Sequence, residues 1–163
     1  MTAPTETGAP LLVRAATAEA LTADPTSTIT LLADAEQTDG RFTSNRTWFD
    51  VGSEGAPSHH HSVGTEIFFV IDGALRVLLG EEIVELGPGD LLAVPPGTHH
   101  AFGPAPDRTA DVLITFVPCC ERFAYFRLLD RFHRGEATLE EIQQTQDRFD
   151  NHYVPSPTWD ARP

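Results

Sequence analysis

Two histidines one residue apart, followed five residues later by a glutamate, constrain this chain more than anything else in it: His59, His61 and Glu66. On an extended strand, side chains at i and i+2 share a face. His59 and His61 therefore point one way and His60 the other. Glu66 opens an apolar run, EIFFVI, that ends on Asp72-Gly73, a dipeptide favoured in type I′ hairpin turns. A second stretch, from Gly89 through Pro95 and Gly97 to His100, answers the first. If its strand returns beside the first, His100 completes a set of three imidazoles and one carboxylate. Such donors suit a divalent transition metal, Fe, Ni, Mn, Co, Cu or Zn. The expectation is a mononuclear site held by His59, His61, Glu66 and His100, with coordination positions left open for chemistry. Glu66 is the ligand able to exchange protons and so the candidate base. His60 and His99 neighbour ligands and are expected to face solvent or an interface.

The rest of the chain reads as short strands separated by Gly/Pro turns, the pattern of an antiparallel sandwich or barrel. Residues 1–10 are rich in Thr, Pro and Gly and read as a tail. An edge strand is expected over 11–14, a short helical piece over 17–21 and a firm strand over 27–33, with a polar loop over 34–40. A half-buried strand over 42–51 leads through a Gly/Pro loop into the histidines. Beyond Gly73 the pattern predicts hairpin upon hairpin, over 74–79, 83–86 and 91–94, then the His100 strand and a last strand over 111–117. Leu91–Val94 is apolar on both faces, so its periodicity does not assign an inward side. The composition then changes. Phe123, Phe126, Leu129 and Phe132 recur at helical spacing up to Gly135, and Thr138-x-x-Glu141 is a capping box that opens a second helix reaching about Phe149. An extended tail with Asn151, His152, Tyr153 and Trp159 follows. The apolar helix faces read first as packing on the barrel or a partner subunit, and second as the cover of a pocket. The expected domains are thus a tail over 1–10, a barrel over 11–118, and helices with an extended tail over 119–163.

Composition excludes several classes of function. A formal net charge of -13 lacks the basic footprint of nucleic-acid binding and disfavours an anionic membrane surface. The chain contains no lysine, so no side-chain Schiff base can form. The adjacent Cys119 and Cys120 are too close for relaxed disulfide geometry and read as small hydrophobes in a reducing, cytoplasmic setting. No basic, apolar leader opens the sequence, and no stretch approaches the ~20 apolar residues of a membrane helix.

The two histidine-bearing segments resemble the paired motifs of the cupins, usually written Gly-x5-His-x-His-x3,4-Glu-x6-Gly and Gly-x5-Pro-x-Gly-x2-His-x3-Asn. Gly55, His59, His61, Glu66 and Gly73 follow the first, with Gly55 two positions nearer His59 than usual. Gly89, Pro95, Gly97 and His100 follow the second, whose closing Asn is replaced by Pro104. The resemblance spans about residues 40–118 and implies an all-β fold, an antiparallel double-stranded β-helix or jelly-roll barrel, here with C-terminal helices. It also implies an apolar wall beside the metal, drawn from Phe68, Val70, Leu75, Val77 and Phe102, that would receive a small, oxygen-chelating, aromatic or polyketide-like substrate. The leading functional expectation is a dioxygenase similar to single-domain quercetinases, using O2. The alternatives are a non-redox cyclase or isomerase of the polyketide-tailoring kind and a small-molecule-binding cupin without turnover. Single copies of the motifs argue against the two-domain oxalate-degrading cupins. Cupins of this size commonly pair, so a homodimer is expected as well.

Overall fold

Long-range pairing, more than local turn chemistry, decides where the strands go. Residues 9–118 and 120–162 are described by a computed structural model of the chain. A 3-10 turn at Ala15–Thr17 precedes β1 (Ala20–Leu21), β2 (Ser27–Ala33), β3 (Thr43–Phe49), β4 (Ala56–His60) and β5 (Thr65–Gly73). Then come β6 (Leu75–Leu79), β7 (Glu82–Leu86), β8 (Leu91–Val94), β9 (His100–Pro104) and β10 (Ala110–Val117). The C-terminal part holds α1 (Arg122–His133), α2 (Leu139–Gln144), α3 (Gln146–Phe149), β11 (His152–Tyr153) and α4 (Pro157–Asp160). One sheet runs β1-β2-β3-β10-β5-β8 and the other β11-β4-β9-β6-β7. Their pairings are antiparallel. This is the expected all-β jelly-roll barrel with C-terminal helices.

Alternation fixes the core between the sheets. Along β5, Glu66, Phe68 and Val70 point inward while Phe69 and Ile71 face out. Phe68 and Val70 meet Leu75 and Val77 of β6, Phe102 of β9, and Val112, Ile114 and Phe116 of β10 in a buried cluster. Glu66 stands on the same inward row, at the end of that apolar layer. The opposite face of the second sheet is covered at one spot, where Trp159 of α4 packs on Leu78 and Ala101.

Several expectations need correction. Asp72-Gly73 is not a hairpin turn, since β5 and β6 lie in different sheets. Among these two residues only Gly73 has a positive φ, 77°, whereas a type I′ turn needs two. Glycine is required there because a Cβ would sit 2.0 Å from the Thr109 carbonyl oxygen as the chain crosses. The same signal thus marks a sheet crossover. Of the expected hairpins after Gly73, the one between β6 and β7 forms, closed by Gly80-Glu81 with Leu79 opposite Glu82. The neighbouring strands alternate between sheets instead. Residues 11–14 form no strand; the edge is β1, which takes the last two residues of the helical piece expected over 17–21, while the 3-10 turn ends at Thr17. The second helix begins on its capping box, with Glu141 N–H donating to Thr138 Oγ1 at 3.1 Å. It breaks at Thr145, whose hydroxyl donates back to the Ile142 carbonyl. The tail is not merely extended, because β11 adds an edge strand against β4 and α4 adds a short helix. Most of the expected N-terminal tail, residues 1–8, lies outside the described residues, as does Cys119; the Cys120 thiol donates to the Phe149 carbonyl at 3.3 Å. Among the described residues no helix is long and apolar enough to cross a membrane.

Candidate metal centre and its cavity

The antiparallel pairing of β4 with β9 sets His59 opposite His100. His61, just past the end of β4, keeps the same side, and β5 brings Glu66 across from the other sheet. The ligating atoms of His59, His61, Glu66 and His100 all lie within 4.8 Å of one another, and all four side chains are buried. Glu66 Oε2 is 2.7 Å from His100 Nε2, 3.2 Å from His61 Nε2 and 3.9 Å from His59 Nε2.

Each imidazole is oriented through its other nitrogen. Nδ1 of His59 donates to the Pro57 carbonyl at 2.7 Å, and Nδ1 of His100 to the Thr98 carbonyl at 2.8 Å. Nδ1 of His61 donates to the carbonyl of Asp150. Every Nε2 is thereby turned toward the common centre, the arrangement that metal-bound histidines use. Burial, with His100 nearby, holds His59 well below the usual imidazole range, so its lone pair is available. Burial alone would raise Glu66, but hydrogen bonds from His100 and His61 outweigh it and keep the carboxyl well below the ordinary range. Three imidazole nitrogens with one carboxylate oxygen fit a divalent transition metal, whose binding would displace the Nε2 protons shared with Glu66. His60 points away, stacked between His99 at 5.4 Å and His152 at 5.0 Å.

The segment between His61 and Glu66 is braced by a residue that the sequence reading passed over. Asp150, in a left-handed conformation with φ 47°, caps α3. Its carboxylate accepts the main-chain N–H groups of Ser62, Val63 and Gly64 at 2.6, 3.0 and 3.2 Å, while its carbonyl takes His61. Nothing local marks Asp150 beyond its place after a helix. Gly97 N–H donates to the His61 carbonyl at 2.7 Å, which ties the second motif to the first. Gly55 lies so close to β9 that a Cβ would stand 2.0 Å from the Phe102 carbonyl oxygen. Its nearness to His59 in sequence coincides with the irregular register between Ala56 and His59.

A cavity of about 690 Å3 opens beside the ligands, reaching His59 and Glu66. Phe102 lines it. Phe68, Val70, Leu75 and Val77 do not; they are wholly buried in the barrel core, while other inward strand residues, Asn45, Thr47, Phe49 and Ile114, reach the cavity. The missing wall comes from the C-terminal part: Tyr125, Phe126, Leu129, Ile142 and Tyr153 face the cavity. The helices thus line this cavity, and Phe123 and Phe126 of α1 also pack with Leu21 and Leu31 of the barrel. The hydroxyls of Tyr125 and Tyr153 are 2.6 Å apart. Burial pushes both phenols above their ordinary range, Tyr125 strongly, so both stay protonated. Asn45, bonded to Thr47 at 2.9 Å, and the buried Arg122 and Asn151 add polar groups to the wall.

Comparison with known proteins agrees with this geometry. Residues 47–116 match the family described as "Cupin domain". Over 77 residues, 44% of the chain, the sequence is 32% identical to quercetin 2,3-dioxygenase of Bacillus subtilis (strain 168), of whose length it spans only 21%. Among solved structures, KdgF from Halomonas sp. aligns with a TM-score of 0.52 and 26% identity, covering 61% of this chain and 87% of KdgF. The polyketide cyclase RemF from Streptomyces resistomycificus gives 0.57 at 18% identity, over 77% of this chain and 98% of its own. The nucleoside dehydratase Pac13 from Streptomyces gives 0.58 at 16% identity, over 95% and 99%. At such identities these last two share the fold alone. Residues 47–116 thus match a cupin domain, and the four clustered ligands lie on that matched segment of the barrel.

Proposed function

We propose that the protein is a metal-dependent cupin enzyme acting on a small, largely apolar, oxygen-chelating substrate, most simply as a quercetinase-like dioxygenase. The observation that carries this reading is the buried three-histidine, one-glutamate set opening onto a cavity of about 690 Å3 with a mostly aromatic and aliphatic wall. The likeness over 77 residues to a quercetin 2,3-dioxygenase supports it. His59, His61, His100 and Glu66 would hold the ion. When bound, a divalent transition metal supplies positive charge that polarises a substrate oxygen and, if redox-active, one-electron chemistry with O2. The chain's own residues do the rest. Glu66 Oε2, an ionised carboxylate on the cavity wall, accepts the proton of a chelating enol or phenol. Phe102, Phe126 and Ile142 hold the apolar body and exclude water, while the Tyr125–Tyr153 pair offers a hydroxyl donor to a substrate oxygen.

That hydroxyl pair also favours a second reading. Protonated phenols facing a substrate serve carbonyl activation and proton transfer, as in a non-redox cyclase or isomerase, and oxygen insertion does not call for them. Metal analysis after reconstitution, followed by turnover of candidate polyphenols with and without O2, separates the two. Consumption of O2 with product is expected. Turnover unchanged under anaerobic conditions would replace the dioxygenase by the non-redox reading, and protein that takes up no metal while folded would sink both.

A further inference from the structure

The wall opposite the barrel carries a cation that the proposed chemistry does not use. Arg122, at the first turn of α1, is 3% exposed and lines the cavity. Its guanidinium lies over three rings, Phe116 at 4.1 Å, Tyr125 at 4.6 Å and Phe126 at 5.2 Å. Among the described residues it forms no ion pair, whereas Arg46, Arg127, Arg134, Arg148 and Arg162 each meet a carboxylate. Nη1 reaches only neutral oxygens, the Phe149 carbonyl at 3.3 Å and Asn151 Oδ1 at 3.4 Å. Two donors then remain without a protein partner: Arg122 Nε and Asn151 Nδ2, both buried. Because Asn151 Oδ1 already accepts from Arg122, the amide's free group is its NH2. Asn151 itself is 2% exposed and also lines the cavity.

A buried charge normally has a counter-charge or full hydrogen bonding. In a chain of net charge -13, a caged cation with no carboxylate in ion-pair contact is conspicuous. Asp24, Glu66 and Asp130 line the same cavity without pairing with it. The rings hold it in place and keep it weakly hydrated, but they supply no acceptor for Nε. A planar anionic oxygen group placed in the cavity against Arg122 would neutralise that charge. We infer that Arg122 and Asn151 form a carboxylate subsite, so that the substrate is an aromatic acid whose carboxylate binds here. This rests on the reading that the cavity beside the four ligands is the substrate site. Arg122 is then a specificity-determining residue, distinct from the metal ligands.

The test uses metal-stripped full-length protein and calorimetric titration with 2-naphthoate and its neutral analogue 2-naphthamide, which share an apolar body. Wild type is expected to bind naphthoate at least about tenfold more tightly, in keeping with a charge-assisted, desolvated contact. Arg122→Met keeps an unbranched apolar stem against the rings and should bring the two ligands within about threefold, a difference under roughly 1 kcal/mol. Equal affinities in the wild type would overturn the inference, as would a preference that survives in Arg122→Met. If Arg122→Met shows no cooperative unfolding, Asn151→Ala takes its place and must narrow the preference. No narrowing there overturns the inference too. Since the ion is absent from every arm, failure of the metal-dependent enzyme reading would leave this result untouched, and the converse holds.

Discussion

Removing the Asp150 carboxylate tests whether the C-terminal segment is part of the metal centre or merely packs beside it. Asp150 accepts three main-chain N–H groups from residues 62–64. Ser62 and Val63 are exposed, so water can replace part of what is lost, and the three bonds together are put at about 2 kcal/mol. The left-handed backbone at φ 47° costs an alanine about 1 kcal/mol more, while glycine escapes that cost. Asp150→Ala should therefore lose about 3 kcal/mol and Asp150→Gly about 2 kcal/mol. Asp150→Asn keeps one acceptor oxygen and tolerates the backbone, so its loss should be about 1 kcal/mol. For a chain of this size the alanine variant should melt about 6–12 °C lower. The segment that carbonyl and carboxylate jointly hold contains His61, so Zn2+ affinity should fall by about 10–100-fold in Asp150→Gly, as for other outer partners of metal ligands. Urea unfolding and Zn2+ titration against a competing chelator measure both quantities. Asp150→Gly that binds Zn2+ as tightly as wild type, whatever its stability, would refute the idea that this brace reaches the ligands.

Other perturbations separate ligands from neighbours. His61→Ala should weaken metal binding by at least about tenfold, while His60→Ala, on the outward stack, should leave metal content near wild type; the reverse result would put the strand register in error. Asp24 accepts the Thr26 N–H and the Thr26 and Ser27 hydroxyls at 2.8, 2.8 and 2.9 Å. Burial alone would raise its carboxyl, but these hydrogen bonds, with His133 nearby, hold it below the usual range. Its folded value lies below the unfolded value of about 3.9, so its stabilisation is present above that pH and is lost as pH falls through the folded value. The gap in stability between wild type and Asp24→Asn should accordingly close between about pH 5 and pH 3, and a gap that widens on acidification would contradict this. The expected homodimer is proposed to form through the outward face of the first sheet, where Phe69, Ile71 and Leu91 are exposed. Light scattering should give a mass above the 17.8 kDa chain that Leu91→Arg lowers to the monomer, and a monomeric wild type rejects the proposal.

The ligands were readable from the sequence because strand geometry is local. A period of two residues commits His59 and His61 to one face whatever the rest of the chain does, and the same rule turns His60 outward. Turn residues likewise marked where strands end, and the capping box marked the start of α2. Their partners were another matter. Asp72-Gly73 signals a tight bend, and only the pairing of β5 with β10 and β8 decides that the bend crosses between sheets. Leu91–Val94 gave no inward side until its register against β5 set Leu92 and Val94 toward the core and left Leu91 exposed. The pocket wall was legible least of all. Phe68, Val70, Leu75 and Val77 carry the right alternation, yet alternation states only that a residue faces inward, and these four lie in the packed core. Much of the cavity wall is built by α1 and α2, whose apolar periodicity fits burial against any surface. Asp150, Arg122 and Asn151 act through contacts 27 to 89 residues away in sequence. No period or spacing encodes such contacts, because they exist only once the barrel has closed and the C-terminal helices have settled over its mouth.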